Sequence, residues 1–150
     1  MSNFGSIDEI LDFAIAGEQE AYEFYEGLAE NADSPRMASI FNSFAKEERG
    51  HKTKLEAVKA GKELVPSEKA VMDLKIGDYL VDVKATPNMG YQDALIVAMK
   101  KEKAAFRLYT DLSEATDDPL KTTFLALAQE EAKHKLRFET LYDDDILREN

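Results

Sequence analysis

Apolar residues recur every three or four positions in four stretches of the chain, and this spacing predicts four amphipathic helices. The helices are expected at about 6–32, 35–60, 90–115 and 119–142. Short turns join the first helix to the second and the third to the fourth. The pattern therefore predicts an all-α four-helix bundle built from two helix hairpins.

Each predicted helix carries an acidic residue inside its apolar stripe. In the second helix the stripe is Met37, Phe41, Phe44, Glu48, His51, Leu55 and Val58. The polar residues that interrupt the other stripes are Glu18, Glu102, and the pair Glu131 and His134. Burying an unpaired carboxylate is costly, so these positions require a counter-charge.

The two halves of the chain read as an internal duplication. FNSFAKEERGHKTKLE at 41–56 aligns with FLALAQEEAKHKLRFE at 124–139, and EQEAYEFY at 18–25 aligns with EKAAFRLY at 102–109. The alignment pairs Glu18 with Glu102, Glu48 with Glu131 and His51 with His134. The two histidines of the chain thus occupy equivalent positions.

Capping residues and prolines predict where the helices begin and end. Ser6 to Glu9 reads as a capping box, and Gly61 is a natural stop for the second helix. Asp33-Ser34-Pro35 and Asp117-Asp118-Pro119 each supply a cap followed by a proline suited to a first helical turn. One domain, 1–150, is expected, with hairpins at about 6–61 and 90–142, a crossover at about 62–89 and a short tail at 143–150. Fully extended, the crossover could reach up to about 90 Å, so the second hairpin could start at either end of the bundle or in a neighbouring chain.

The turn positions predict that the four acids lie at one depth in the bundle. Glu18 lies 14 residues before Ala32 and Glu48 lies 13 after Pro35, and the second hairpin has nearly the same spacings. The helical rise then places all four carboxylates about 18 to 21 Å from the turns, with both histidines one turn farther along. Six ionisable groups at one depth inside a bundle need a cation.

One Glu from each of two helices plus Glu-x-x-His from each of the other two is the donor set of di-iron and di-manganese carboxylate bundles. The predicted metal ligands, and catalytic residues, are Glu18, Glu48, His51, Glu102, Glu131 and His134. Hard oxygen and imidazole donors suit two ions of iron or manganese, and zinc or cobalt would also fit. Glu48 and Glu131 are the expected bridges and Glu18 and Glu102 the terminal ligands, although sequence alone leaves the bridging open.

Plainer interpretations compete with the metal site. A lone Glu-x-x-His is usually a solvated helix face, but two copies in register with two further acids of the apolar stripes reverse that expectation. The aromatics Tyr22, Tyr25, Phe106 and Tyr109 are expected in the core rather than in catalysis. Tyr25 and Tyr109 share a face with the acids and could hydrogen-bond the metal ligands. Glu47 and Glu130 lie about 100° round the helix from the bridging acids, which favours exposure.

Composition excludes several other classes of protein. The chain has no cysteine, which excludes disulfides, thiolate zinc sites, iron–sulfur clusters and cysteine nucleophiles. A net charge of −11 without a basic patch argues against nucleic-acid binding. No run approaches the roughly 20 apolar residues of a membrane span, and the N-terminus lacks the features of a signal peptide. A cytoplasmic protein without a membrane partner is expected.

The chain resembles the rubrerythrin family of the ferritin-like superfamily over essentially its whole length. The segments that carry the resemblance are AGEQEAYEFY at 16–25, FAKEERGHKTKLE at 44–56, KKEKAAFRLY at 100–109 and AQEEAKHKLRFE at 128–139. The resemblance implies a ferritin-like bundle with the six residues above as ligands of a di-iron centre. Many members append a rubredoxin-like module with four cysteines around one iron, which this sequence lacks. Some relatives also carry an extra metal-binding acid on the third helix, whereas here Ala105 follows Glu102 by one turn.

The resemblance further implies a non-haem di-iron oxidoreductase that reduces hydrogen peroxide in defence against oxidative stress. Its electrons would come from a separate donor such as a rubredoxin-like protein. Alternatives are a ferroxidase or iron-handling protein that acts on ferrous iron and oxygen, and a non-enzymatic metal-stabilised interaction or sensor module. Di-metal hydroxylase and manganese catalase functions rank lower because no substrate pocket can be read from the stripes. The long crossover and the near-equal halves favour a homodimer, in which hairpins could be exchanged between subunits.

Overall fold

Four long helices make up most of the chain. The computed structural model describes residues 6–61, 74–81 and 89–147. Its helices are α1 (Ile7–Glu30), α2 (Pro35–Ala60), α3 (Tyr91–Glu114) and α4 (Leu120–Tyr142), with a 3₁₀ helix at Ile76–Tyr79 and a π-helical turn at Asp143–Leu147. The predicted all-α four-helix bundle is confirmed. In these three ranges no helix is long and apolar enough to cross a bilayer.

Both helix starts of the first hairpin agree with the sequence prediction, whereas the start of α4 in the second hairpin does not. Ser6 Oγ accepts a hydrogen bond from the Glu9 N–H. Ser34, directly before Pro35, accepts a hydrogen bond from the Met37 N–H through its Oγ. In α4 the proline itself occupies the capping position, so Asp118 lies one residue farther from the helix than Ser34 does. Asp118 Oδ1 instead accepts hydrogen bonds from the N–H and the hydroxyl of Thr122. The predicted cap-then-proline start at Asp117 to Pro119 is therefore wrong by one position.

The two hairpins pack side by side with their turns at opposite ends of the bundle. The helices contact each other most within each hairpin, and across the hairpins α1 lies against α3 and α2 against α4. One apolar cluster joins Ile10, near the start of α1, to Leu55, Leu112 and Phe124, which lie near the end of α2, the end of α3 and the start of α4. The end of α2 and the start of α3 therefore lie at opposite ends of the bundle. Most of the predicted crossover, 62–73 and 82–88, lies outside the described residues.

A buried polar layer separates two apolar clusters. The second cluster lies at the other end of the bundle and includes Tyr25, Phe44, Leu95 and Phe138. Between the two clusters lie the six predicted site residues, each at most 5% exposed. Each of the four acids lies near the middle of its helix, so they share one depth whichever end holds the turn of a hairpin.

Two of the four aromatics expected in the core are fully buried. Tyr25 and Tyr109 are at most 1% exposed, and Tyr22 is half-buried, with its hydroxyl donating to Glu26. Phe106 is 39% exposed, so its assignment to the core is wrong. It lies at the edge of the buried face of α3, whereas Tyr109, one turn on, points into the bundle.

Candidate metal centre

Glu18, Glu48, His51, Glu102, Glu131 and His134 converge in the middle of the bundle. α1 and α3 supply one glutamate each, and α2 and α4 supply a glutamate and a histidine one turn apart. The i, i+3 spacing puts both members of each pair on the inward face of their helix. The buried set is therefore the one predicted from the two repeats.

The six residues form two overlapping groups of metal-binding atoms. Within each group, one atom from each residue lies within 4.8 Å of the others. The groups are Glu18, Glu48, His51 and Glu131, and Glu48, Glu102, Glu131 and His134. Glu48 and Glu131 belong to both groups, which suits residues that would bridge two ions. We call the part around Glu18 and His51 the His51 side, and the part around Glu102 and His134 the His134 side.

The imidazole Nδ1 atoms point towards the carboxylates. His51 Nδ1 lies 2.6 Å from Glu131 Oε1, 3.4 Å from Glu48 Oε1 and 3.7 Å from Glu18 Oε2. His134 Nδ1 lies 3.2 Å from Glu48 Oε1 and 3.6 Å from Glu102 Oε1. The two rings are nearly parallel, with centroids 5.9 Å apart. Each ring thus presents the same nitrogen to its own side of the cluster.

Seven buried atoms of these six residues have no aligned hydrogen-bond partner within the described ranges. They are Glu18 Oε2, Glu48 Oε1, His51 Nδ1, Glu102 Oε2, both Glu131 carboxylate oxygens and His134 Nδ1. Buried polar atoms are nearly always paired, because leaving one unpaired costs its full desolvation energy. All seven are metal-ligating oxygen or nitrogen atoms, so this donor set fits a pair of metal ions.

Two buried tyrosines bind the carboxylates of the opposite helix. The Tyr25 hydroxyl on α1 donates to Glu102 Oε1 on α3 at 2.5 Å, and the Tyr109 hydroxyl on α3 donates to Glu18 Oε1 on α1. The pairing is reciprocal because α1 and α3 are antiparallel and related by the repeat. Each tyrosine leaves the other buried oxygen of its glutamate without an aligned hydrogen-bond partner within the described residues.

Comparison with known proteins agrees with this arrangement. A model of the rubrerythrin family matches residues 9–91 and 93–150. The chain belongs to the rubrerythrin family. A crystal structure described as a ferritin-like diiron-carboxylate protein from Thermotoga maritima has the same fold, with a TM-score of 0.81, 19% sequence identity, and coverage of 97% of this chain and 99% of that one. No curated protein matches the sequence.

Protonation differs strongly among the acids of this rubrerythrin-family site. Burial raises the pKa of Glu18 to about 8, and the charge of Glu48 adds to the effect. Burial also raises the pKa of Glu131 well above its usual range, reinforced by the charges of Glu102 and Glu48. For Glu48 burial acts in the same direction, but the imidazoles of His134 and His51 outweigh it and lower the pKa to about 2. Without metal, Glu48 is therefore more firmly ionised than Glu18 or Glu131.

The histidines and tyrosines keep their protons around neutral pH. Burial would lower the pKa of each histidine, but the adjacent carboxylates outweigh it, raising the pKa of His51 to about 9 and that of His134 to about 11. Burial, together with the nearby glutamates, raises the pKa of Tyr25 and Tyr109 well above the usual value. Both tyrosines therefore remain hydrogen-bond donors.

Glu47 has a role that the sequence analysis missed. As predicted, it is exposed, but its Oε2 lies 2.9 Å from Nε2 of His134, across the interface between α2 and α4. Because Nδ1 faces the cluster, an Nε2–H that donates to Glu47 orients the ring for binding through Nδ1. Its repeat equivalent, Glu130, also has a carboxylate oxygen within 4.8 Å of Glu47 and His134, and its Oε1 lies 3.6 Å from Lys133 Nζ. The available signal was that both repeats place a glutamate directly before the predicted bridging acid.

A cavity leads from the surface of this rubrerythrin-family chain to the acids. It lies between α1 and α3, has a volume of about 600 Å³, and is lined by all four site glutamates but by neither histidine. Its walls include Ala14, Gly17, Ala21 and Ala105, all of them small. Ala105 is the residue one turn after Glu102, where some relatives carry an acid. The sequence stripes did not reveal this pocket because its walls come from positions at the edges of the buried faces.

Proposed function

We propose that the chain is a non-haem di-iron oxidoreductase that reduces peroxide with electrons from a separate carrier protein. The observation that supports it best is a set of seven buried atoms that could bind metal and have no aligned hydrogen-bond partner within the described residues. The residues that carry them form two groups that share Glu48 and Glu131. The cavity that reaches the four acids gives a small oxidant a route to them. Manganese, zinc or cobalt would also fit this donor set.

The site residues would divide the work of binding between them. Glu48 and Glu131, which belong to both groups, would bridge the two ions, and each remaining glutamate and histidine would bind one ion. Two ferrous ions held there would supply the two electrons that reduce the O–O bond of a peroxide. Tyr25 and Tyr109 orient Glu102 and Glu18 through their hydroxyls and retain their protons because burial raises their pKa.

The position of the cluster relative to the cavity supports a reaction on the side of the cluster that faces α1 and α3. The four glutamates line the cavity, whereas both imidazoles lie behind them on α2 and α4. An oxidant entering by this route would meet the carboxylate face of the centre first. Apolar residues at both ends of the polar layer keep bulk water from reaching it along the bundle axis.

The experiment is stopped-flow re-oxidation of iron-loaded, pre-reduced protein by hydrogen peroxide, by oxygen and by buffer. We expect re-oxidation by hydrogen peroxide to be much faster than re-oxidation by oxygen or by buffer. Glu131→Gln should abolish the reaction, whereas Glu56→Gln, the same change at an exposed glutamate of α2 away from the cluster, should preserve it. Re-oxidation by peroxide no faster than by buffer would refute the proposal.

Two further measurements separate this function from the alternatives. Iron retained per chain after aerobic loading with ferrous iron should be about two ions for a catalytic centre and many more for a storage protein. Elemental analysis combined with anomalous scattering at the iron edge identifies the metal.

Light scattering during size exclusion tests the predicted homodimer.

A further inference from the structure

The cavity between α1 and α3 is much larger than hydrogen peroxide requires. A water molecule takes up about 30 Å³ of liquid, and hydrogen peroxide has only two heavy atoms. The cavity volume of about 600 Å³ falls within the range of pockets that hold organic ligands. A cavity of this size beside the four acids has room for a substrate with a carbon group.

Among the described residues, the walls of the cavity are mostly apolar, apart from Glu20 and Lys101. α1 contributes Ala14, Gly17 and Ala21, and α3 contributes Ala105 and Leu108, while the four site glutamates form the floor. Apolar walls favour a hydrocarbon group because its transfer from water is favourable. A ligand that matches both parts has one polar reactive end and a short apolar body.

The last residue of the 3₁₀ helix and the two residues after it cover part of the cavity. Tyr79, Leu80 and Val81 all line it. Tyr79 is 5% exposed, and its hydroxyl donates to Asp111 on α3 at 2.7 Å, which fixes this cover to the bundle. Leu80 is half exposed and adds apolar surface beside the opening. The cover thus adds apolar wall at the outer part of the cavity. A hydrogen peroxide molecule bound at the acids would be too small to contact this part.

Charges at the cavity favour a neutral ligand. Lys101 lines the cavity, but its ammonium group lies 2.9 Å from Glu20 Oε1, and its side chain is only 14% exposed. The same ammonium lies 5.3 Å from the ring centre of Phe24. Its charge is therefore already balanced by Glu20, and the net charge of −11 repels anions from the protein as a whole.

We propose that this cavity binds neutral organic hydroperoxides with a short alkyl or aryl group, and that the chain reduces them to alcohols. The proposal rests on the proposed peroxide reduction and names its substrate class. The balance is ROOH + 2 H⁺ + 2 e⁻ → ROH + H₂O, in which the O–O bond breaks and two O–H bonds form. The electrons come from the reduced carrier protein and the protons from solvent.

Gly17 offers a way to narrow the cavity without disturbing the helix. A Cβ atom built on Gly17 has no atom within 4 Å, so Gly17→Leu places its side chain in open space at the cavity wall. Gly50 on α2 is exposed and equally unobstructed, so Gly50→Leu makes the same change away from the cavity. Both changes replace glycine inside a helix and so shift helix stability in the same direction.

The first test compares re-oxidation of the pre-reduced iron protein by cumene hydroperoxide and by hydrogen peroxide. Wild type should react with both, and Gly17→Leu should lower the ratio of the two rates by about tenfold or more, because the added side chain excludes only the larger substrate. Gly50→Leu should leave the ratio unchanged. A ratio that Gly17→Leu does not change, or no reaction of wild type with cumene hydroperoxide, overturns the inference.

A second test does not depend on turnover. Saturation-transfer NMR measures the binding of 2-phenyl-2-propanol, the alcohol product, to zinc-loaded protein. We expect binding to wild type and Gly50→Leu, and loss of binding to Gly17→Leu. Binding without any peroxide reaction would refute the proposed function and leave the pocket for neutral organic molecules in place, whereas absence of binding to wild type would refute the pocket.

Discussion

The His51 side and the His134 side of the cluster come from equivalent repeats, yet their histidines are supported differently. His134 uses both ring nitrogens, with Nδ1 towards the cluster and Nε2 at 2.9 Å from Glu47, and Phe44 packs edge-on against its ring. His51 makes its carboxylate contacts through Nδ1 alone, and within the described ranges no carboxylate lies against its Nε2. The His134 side is therefore better oriented to bind metal, although the donor set is the same on both sides.

One position in each repeat explains the difference. Glu47 is followed three residues later by Gly50, whereas Glu130 is followed three residues later by Lys133. Lys133 draws Glu130 along α4, at an Oε1 to Nζ distance of 3.6 Å. Gly50 has no side chain to compete for Glu47, which reaches across to His134 instead. The repeats thus preserve the metal-ligating residues while a neighbouring position sets the orientation of one histidine.

The largest expected effect comes from removing an acid that both sides share. Glu131→Ala should reduce the metal content of the chain from about two ions to well under one, because both groups lose a ligand. His51→Ala should lose mainly one ion, since His134 and Glu102 remain. Elemental analysis after loading and desalting measures both. If Glu131→Ala retained as much metal as His51→Ala, the two sides would not share that ligand.

Raising the pH should destabilise the metal-free protein and favour metal binding. The pKa of Glu18, about 8, and that of His51, about 9, lie above the values of the unfolded chain. The stability that the His51 proton contributes is therefore complete below about pH 6.5 and is lost as the pH rises through about 9, a change on the order of 3 kcal/mol. The Glu18 proton acts in the same direction between its unfolded pKa and about pH 8.

Denaturant unfolding of metal-free protein between pH 6.5 and 9.5 measures this loss. His51→Gln, which has no proton to lose there, should flatten the curve. Metal-loaded protein should not follow it, because metal takes the place of these protons and binds more tightly as the pH rises. A metal-free protein whose stability increased over this range would contradict the assigned proton positions.

Removing Glu47 should remove the advantage of the His134 side. Glu47→Ala leaves His134 Nε2 without its carboxylate and should weaken the binding of one ion roughly tenfold, the usual cost of losing a partner behind a histidine ligand. Glu130→Ala removes the equivalent glutamate of the other repeat, which lies near His134 while Glu47 is the one at hydrogen-bond distance from Nε2, so it should have a smaller effect. Competition titration against a chelator gives both affinities. Equal losses in the two variants would mean that the Glu47 contact has no special part in orienting His134.

Much of this centre could be predicted from sequence because it depends on periodicity. Two Glu-x-x-His motifs and two further acids interrupt apolar stripes near the middle of their helices, so any antiparallel pairing brings them to one depth. The contact of Glu47 with His134 crosses two helices, and we attribute it to the residue three positions later, which is Gly50 after Glu47 and Lys133 after Glu130. The cavity depends on small residues at the edges of helix faces, which no apolar stripe records. The placement of Pro119 before α4 likewise depends on turn geometry rather than on periodicity.

The smallest expected effect tests the role of position 50 itself. Gly50→Lys gives the first repeat the lysine of the second, and its ammonium should draw Glu47 along α2 as Lys133 draws Glu130. The pair would be exposed and weak, so we expect only part of the Glu47→Ala effect, about a two- to threefold loss of affinity at low salt that fades at high salt. Gly50→Ala removes the same glycine without adding charge and should bind metal as wild type does. If Gly50→Lys and Gly50→Ala were indistinguishable at low salt, a feature other than the residue at position 50 would direct Glu47 towards His134.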